Sequence, residues 1–207
     1  MSVHKAFCHT VSTGLVIGLL GACASPTPTQ RLPEITFSHL QVYKVDVAKI
    51  EIENRYTAPL KAPHIVHLMP VAPDKALEQW VKDRFQAVGQ TGSLRLIIED
   101  ARATETALTL DKSLKGRLTK QQSKRYHMAV LATLHMRDET GKTIGTASAR
   151  AERSITARED ISLNDREKLW FDTVNLLMTD FNKTMEVNVQ SYLSRWLRQP
   201  VQSGKPE

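Results

Sequence analysis

Residues 124–155, KRYHMAVLATLHMRDETGKTIGTASARAERSI, decide the fold that this sequence predicts. Apolar residues occupy every second position of 124–137, the pattern of a strand with one buried face. The acidic residues and glycine of 138–142 are typical of a tight turn. A second strand over 143–155 carries small residues on one face, which would let a helix approach closely. The predicted inward residues are Tyr126, Met128, Val130, Ala132, Leu134 and Met136 in the first strand, and Gly145, Ala147, Ala149 and Ala151 in the second.

A long helix is predicted to follow the hairpin. Ser162 with Asp165, or Asn164 with Glu167, resembles a capping pair at its start. Its apolar stripe covers some 27 residues, or about 40 Å, which is longer than a small sheet, so we expect one end to project or to contact a partner. We expect its Trp and Met side chains to lie in the core, with a ligand cavity as the alternative. The stripe is Trp170, Val174, Leu177, Met178, Phe181, Met185, Val189, Tyr192 and Trp196.

The region before the hairpin predicts a strand pair, a connection and a helix. Apolar residues alternate over 35–52, with the phase broken near Ala48 as a β-bulge would break it. Four prolines in 55–73 exclude a helix or a central strand, so we expect an extended connection that packs along a surface. A spacing of three and four predicts a helix over 74–88 that stops at Gly89. Its inward residues are Leu77, Trp80, Val81, Arg84, Phe85 and Val88.

The complete order of elements predicts the fold class. A strand over 93–103 and a polar connection over 104–123 precede the hairpin. Strand, helix, three strands and a long helix predict an α+β two-layer sandwich, in which an antiparallel sheet of about four strands is covered by two helices. We expect one domain over 35–199 and a disordered tail over 200–207.

Composition is that of a soluble globular domain, with 41% hydrophobic and 24% charged residues and a formal net charge of +6. A mild positive excess is the ordinary property of a soluble surface. The alternative is attraction to anionic lipid or to lipopolysaccharide phosphates. Nucleic acid is not an expected partner, because the N-terminus described next predicts export.

The N-terminus ends an apolar run, TGLVIGLL at 13–20, with the sequence Leu20-Gly21-Ala22-Cys23. A large aliphatic residue three positions before a cysteine, with two small residues between them, resembles the lipobox of bacterial lipoprotein precursors. The apolar run is too short to span a bilayer, which takes about 20 residues. We therefore predict a signal peptide over 1–22 that is cleaved before Cys23. An ordinary secretory signal that ends near a cysteine is the alternative.

The resemblance to lipoproteins implies a location. In that family the thiol of the cysteine receives a diacylglyceryl group and the freed amine an acyl chain, commonly palmitate, and two or more chains hold a protein on the membrane. An aspartate after the cysteine favours inner-membrane retention; here Ala24 favours the periplasmic leaflet of the outer membrane of a Gram-negative bacterium. Residues 23–34 form the lipidated N-terminus and a Pro/Thr-rich tether. Cys8 lies in the removed segment, so no disulfide is expected.

Six cations without an acid occur at 112–125. They lie in the predicted connection over 104–123 and in the first two residues of the strand that follows it. These residues could contact phosphates of an anionic surface, and a solvated loop is the alternative. No other binding residue is predicted. The cations are Lys112, Lys115, Arg117, Lys120, Lys124 and Arg125.

Metal binding and catalysis are not predicted. His64 and His67 have no neighbouring cysteine or carboxylate in the sequence to complete a zinc site, and His127 and His135 lie about 26 Å apart on one strand. No nucleophile elbow, HExxH motif or glycine-rich phosphate loop is present. We therefore predict a protein that is not an enzyme and has no cofactor beyond the covalent lipid at Cys23.

Anchor, tether and long helix together favour a non-catalytic component of an envelope assembly or transport machine that docks to an envelope protein. Over 45–197 the order of elements is similar to that of the lipopolysaccharide-assembly lipoprotein and of the auxiliary lipoproteins of ABC-type lipid transporters. A lipid carrier or sensor, holding an acyl chain between sheet and helices, is the first alternative. An envelope hydrolase is the second.

Overall fold

The computed structural model describes residues 32–113 and 119–198. The predicted signal peptide, Cys23, most of the tether and the predicted tail lie outside them. Within these ranges the strands are β1 Tyr43–Val45, β2 Lys49–Asn54, β3 Phe85–Ala87, β4 Ser93–Ala107, β5 Gln122–Arg137, β6 Thr143–Arg158 and β7 Leu197–Arg198. The helices are α1 Pro73–Arg84 and α2 Leu163–Tyr192, and two 3-10 turns cover Val66–Leu68 and Ser194–Trp196.

The main sheet has the strand order β2-β4-β5-β6, and both helices pack on one of its faces. β4, β5 and β6 form an antiparallel meander, whereas β2 pairs with β4 in parallel. The six inward residues predicted for β5 are all at most 1% exposed. The register shifts between Ile98 and Asp100, so that Ala101 and Ala103 continue the buried face of β4. The predicted α+β two-layer sandwich is confirmed.

A second sheet, of order β3-β1-β7, was not predicted. The break in alternation near Ala48 is not a bulge within one strand, because β1 belongs to this small sheet and β2 to the main sheet. The helix predicted over 74–88 ends at Arg84. The N–H of Val88 donates to the carbonyl oxygen of Val45 at 2.9 Å, so this part of the chain satisfies its backbone by pairing with β1.

The helix α2 lies along the sheet and does not project from it. Its 30 residues reach about 45 Å, and the 16 residues of β5 reach about 50 Å. The prediction of a projecting end underestimated the length of the strands. Burial runs from Trp170 to Leu193, while Tyr192 is 64% exposed and does not belong to the buried stripe. Ser162 caps the helix by accepting a hydrogen bond from the N–H of Asp165, as predicted.

The small residues of β6 do permit a close approach. A Cβ atom on Gly145 would lie 2.6 Å from the ring of Trp196, which sits in the turn after α2. Ala147 and Ala149 are 2% and 3% exposed under the helix. The glycine thus admits a tryptophan ring where any side chain would collide with it.

The proline-rich segment 55–73 crosses the end of the main sheet and packs along it, as predicted. The N–H of Ile65 donates to the carbonyl oxygen of Ala103 at 3.0 Å. The N–H of Glu105 donates to the carbonyl oxygen of Pro63 at 2.8 Å. Ile65 is buried. These bonds hold the segment against the far end of β4.

Candidate functional site

The predicted lipidation motif, Leu20, Gly21, Ala22 and Cys23, lies outside the described residues, as do Lys115 and Arg117. Four of the predicted surface cations can be placed. Lys120 pairs with Asp160 at 2.6 Å, and Lys124 pairs with Glu105 at 2.7 Å. Lys112 and Arg125 are exposed. Two of these four cations therefore already have a carboxylate partner.

Asp160 is distant from this basic stretch in the sequence but lies next to Lys120 in the fold. Hydrogen bonds from Arg158 and then from Lys120 lower the pKa of its carboxyl to about 2. It is thus ionised at neutral pH and reduces the positive potential beside Lys120.

The two histidines of β5 lie near hydroxyl side chains of the neighbouring strand β6. Nδ1 of His127 lies 3.0 Å from Oγ of Ser154, and Nδ1 of His135 lies 3.4 Å from Oγ1 of Thr143. Within 32–113 and 119–198, no group of three or more His, Cys, Asp or Glu side chains is arranged to hold a metal ion. In the same ranges, neither helix is long and apolar enough to cross a bilayer.

A groove of about 460 Å³ lies at the C-terminal end of α2. We call it the C-terminal groove. Val42, one of its lining residues, is 43% exposed, and Tyr192, which is 64% exposed, lies between the lining residues Gln190 and Ser194 in the sequence. Its lining is Gln41, Val42, Tyr43, Lys44, Gln190, Ser194, Leu197 and Arg198.

A buried arginine holds the floor of this groove. The Arg84 side chain is 0% exposed, donates to the carbonyl oxygen of Gln41 and forms an ion pair with Glu186. Its guanidinium carbon lies 5.0 Å from the centre of the Tyr43 ring. Three separate segments therefore meet at one cation. The sequence signal was an arginine within the apolar stripe of α1, a position where charge requires a partner.

A second pocket, of about 310 Å³, lies between the proline-rich segment and the first turns of α2. We call it the α2 N-terminal pocket. His64 and His67 both line it, together with Glu105, Lys124, Arg166 and Trp170. Sequence reasoning treated the histidines and Lys124 separately, because nothing in the spacing shows that segment 55–73 reaches α2.

Polar atoms without partners collect at this pocket. Trp170 is 2% exposed, yet its Nε1 has no hydrogen-bond partner among the described residues, and the same holds for Nδ1 of His64 and Nε of Arg166. The Arg166 guanidinium carbon lies 5.1 Å from the centre of the Trp170 ring. Buried polar groups are normally paired, so such a cluster calls for an explanation.

Tyr126 lies behind the pocket, with its ring 5.4 Å from that of Trp170 in an edge-to-face arrangement. Its hydroxyl is near Glu105 and Trp170 but has hydrogen-bond geometry with neither. Burial, followed by the negative charge of Glu105, raises the pKa of Tyr126 to about 12, although Arg166 acts in the opposite direction. The phenol is therefore neutral throughout the physiological range.

Comparison with known proteins gives no family. No protein-family model matches the chain, and no curated protein matches it. Among solved structures, the chain is similar to a minor lipoprotein from Acinetobacter baumannii, with 14% identity and a TM-score of 0.34 over 75% of this chain and 99% of that one. It is also similar to the rare lipoprotein B from Shewanella oneidensis, with 11% identity and a TM-score of 0.32 over 69% of this chain and 95% of that one.

Proposed function

We propose that this protein is a non-catalytic lipoprotein of the outer-membrane periplasmic leaflet that docks to a protein of an envelope assembly or transport machine. The observation that carries the proposal is the lipobox-like sequence ending at Cys23, followed by Ala24. The Pro/Thr-rich tether that follows would let the domain stand roughly 30 Å from the bilayer. At that distance the domain can reach a partner in the periplasm.

The C-terminal groove is the surface that best suits docking. Val42 is exposed in its lining, and the exposed Tyr192 lies between the lining residues Gln190 and Ser194 in the sequence. Tyrosine is enriched at protein interfaces, where it contributes contact area at a small cost in conformational entropy. Arg84 ties the groove floor to α1 and α2, so the groove is formed before a partner arrives.

The location is tested with two substitutions beside the cleavage site, in a Gram-negative host. Cys23→Ser should abolish palmitate labelling and leave a longer, uncleaved chain. Ala24→Asp should keep the labelling but move the protein from the outer-membrane to the inner-membrane fraction of a sucrose gradient. Labelling that survives Cys23→Ser, or a wild-type protein found in the inner-membrane fraction, would contradict the proposal.

Docking is tested by placing a photocrosslinking amino acid at position 190 in living cells, because Gln190 is exposed on α2 and lines the C-terminal groove. We expect a discrete adduct with another envelope protein. The matched control is position 176 on the same helix, because Leu176 is also exposed, at 53%, and does not line the C-terminal groove. Adducts of equal yield at both positions, or at neither, would exclude the groove as the docking surface.

A further inference from the structure

The strand β6 forms one edge of the main sheet. It pairs with β5 on one side, and on its other side no strand of the described residues pairs with it. The pairing with β5 runs without a register shift from Gly145 to Ala157. In antiparallel strands the N–H and C=O groups of successive residues point alternately to the two sides. About half of the backbone groups of this stretch therefore point away from the sheet.

Two hydrogen bonds identify which residues point outward. The N–H of Glu159 donates toward β5, to the carbonyl oxygen of Gln121 at 3.0 Å, so the odd-numbered residues of β6 face β5. Nδ2 of Asn188, on α2, donates to the carbonyl oxygen of Ser148 at 2.7 Å from the open side. Within 32–113 and 119–198, this is the one hydrogen bond to the outward backbone groups of 146–156. The edge thus presents an extended row of unpaired donors and acceptors.

The edge lacks features that commonly keep edge strands from associating. Residues 143–158 contain neither proline nor lysine, and no bulge interrupts 145–157. Arg153 is directed at α2, where Asp180 holds it at 2.5 Å. The strand is therefore open to the addition of another extended strand.

The charges along the edge indicate which strand fits. Arg150 and Glu152 have side chains that are 53% and 40% exposed, and they are two residues apart on the face opposite the helices. In an antiparallel pair of two β6 strands with its twofold axis at Ala151, Arg150 of each copy lies opposite Glu152 of the other. Opposite charges that face each other across two strands stabilise the pair. A second copy of this strand therefore has a complementary charge pattern.

The adjacent registers are unfavourable. Moving the axis by one residue would place either Arg150 or Glu152 opposite its own counterpart, and like charges directly opposite are destabilising. With the axis at Ala151, Ser148 faces Ser154 and Thr146 faces Thr156, which are pairs of equal size. The charges of the edge thus favour one register.

A shallow depression on α2 borders the same edge. It has a volume of about 450 Å³, and it is lined by Asp180 and Asn188, which both contact β6. Val187 also lines it and is 60% exposed. A second copy at the edge would face this depression with its own, so association would cover apolar surface as well as backbone.

We propose that two copies of this chain associate through β6, edge to edge and antiparallel, about a twofold axis at Ala151. The two main sheets then form one continuous sheet with both helical layers on the same face, joined by about ten backbone hydrogen bonds. This interface is separate from the C-terminal groove and does not rest on the docking proposal. Its failure would leave docking standing, and a failure of docking would leave the interface standing.

The register is tested with cysteines in the full-length chain. Ser148 of one copy faces Ser154 of the other, with Cα atoms about 5.5 Å apart, a distance that a disulfide spans. Within one chain the two positions are about 20 Å apart, and so are identical positions of the two copies. Mild oxidation of isolated envelopes should therefore link Ser148→Cys/Ser154→Cys into a dimer, measured by non-reducing electrophoresis. Neither single variant nor the wild type should be linked.

Charge exchange tests the same register independently. In the double-cysteine chain, Arg150→Glu places acids opposite each other at both pairs and should slow crosslinking by about tenfold or more. Adding Glu152→Arg restores opposite charges and should return the rate to within about threefold of the starting chain. The matched control is Arg158→Glu, because Arg158 also pairs with an acid, Asp160, but lies outside 146–156. It should change the rate by less than about twofold, and recovery in the exchanged variant cannot come from a loss of folding.

Several results would overturn the proposal. One is a double-cysteine chain that stays monomeric, and another is a single-cysteine variant that is linked equally well. A third is an Arg150→Glu variant that crosslinks at the original rate, or whose slower rate Glu152→Arg does not correct. An adduct whose mass is not twice that of the chain would assign the edge to a different protein and would also overturn it.

Discussion

Trp80 and Trp170 are two buried tryptophans, one on each helix, and they differ in one respect. Both are nearly inaccessible, at 1% and 2% exposed, and both pack edge-to-face against an aromatic ring. The indole N–H of Trp80 donates to Oδ1 of Asn182 at 2.9 Å, whereas that of Trp170 has no partner. The indole N–H of Trp80 is therefore satisfied, although Nε of Arg84, one turn further along α1, also lacks a partner. Around Trp170, the indole N–H itself and Nε of Arg166 lack partners among the described residues.

The largest effect is expected near Trp80, at the Arg84–Glu186 pair. Glu186→Ala leaves the buried Arg84 guanidinium without a carboxylate and should lower the free energy of unfolding by about 3 kcal/mol or more. Urea titration with linear extrapolation measures it. Asp172→Ala, which removes an acid paired with exposed Lys168 on the same helix, is the control and should cost less than about 1 kcal/mol. Equal losses would show that Arg84 is solvated.

The next effect belongs to the Trp170 region and appears only at high pH. The fold raises the pKa of Tyr126 from 10.0 to about 12, so the native state keeps a proton that the unfolded chain has lost. This stability is fully present below pH 10 and is lost as pH rises to 12, amounting to about 2 to 3 kcal/mol. Comparing unfolding of the wild type and Tyr126→Phe across that range isolates it. Parallel curves for the two proteins would mean that the phenol reaches water.

Exchanging each tryptophan for phenylalanine compares the two regions directly. Both substitutions remove the same volume, but only Trp80→Phe leaves Oδ1 of Asn182 without its donor. We expect Trp80→Phe to cost about 1 to 2 kcal/mol more than Trp170→Phe in the free energy of unfolding. Chemical denaturation of both variants provides the measurement. Equal costs would mean that the indole N–H of Trp170 also has a hydrogen-bond acceptor.

The regular parts of this fold could be predicted from the sequence because their patterns are long. Sixteen alternating residues in β5 and a stripe along α2 each repeat often enough to exclude other periods. The small sheet could not be predicted, since β1, β3 and β7 have only two or three residues each. Phe85 misled the helix prediction, because an apolar residue at that position continues the helical spacing and also fits β3.

The two candidate sites also differ in how far they could be predicted from the sequence. Arg84 gave a local signal, because a charge within an apolar stripe needs a buried partner. Trp170 gave none, since it fits the buried stripe of α2 as any core residue would. Trp170 and the segment near Pro63 come together at one pocket only in the folded chain. Tertiary placement of a connection leaves no periodicity in the sequence.

The smallest effect tests whether the surroundings of Trp170 and of Trp80 open separately. Ser162→Ala removes the hydrogen bond that Oγ accepts from the N–H of Asp165 and should cost about 0.5 to 1 kcal/mol. Because the cap acts on the first turn, amide exchange should accelerate near Trp170 and stay unchanged around Trp80. Ser162→Asp, which keeps a capping oxygen, is the control and should exchange like the wild type. Faster exchange at both tryptophans would instead mean that the layer opens as one unit, and the pocket would then share the stability of the core.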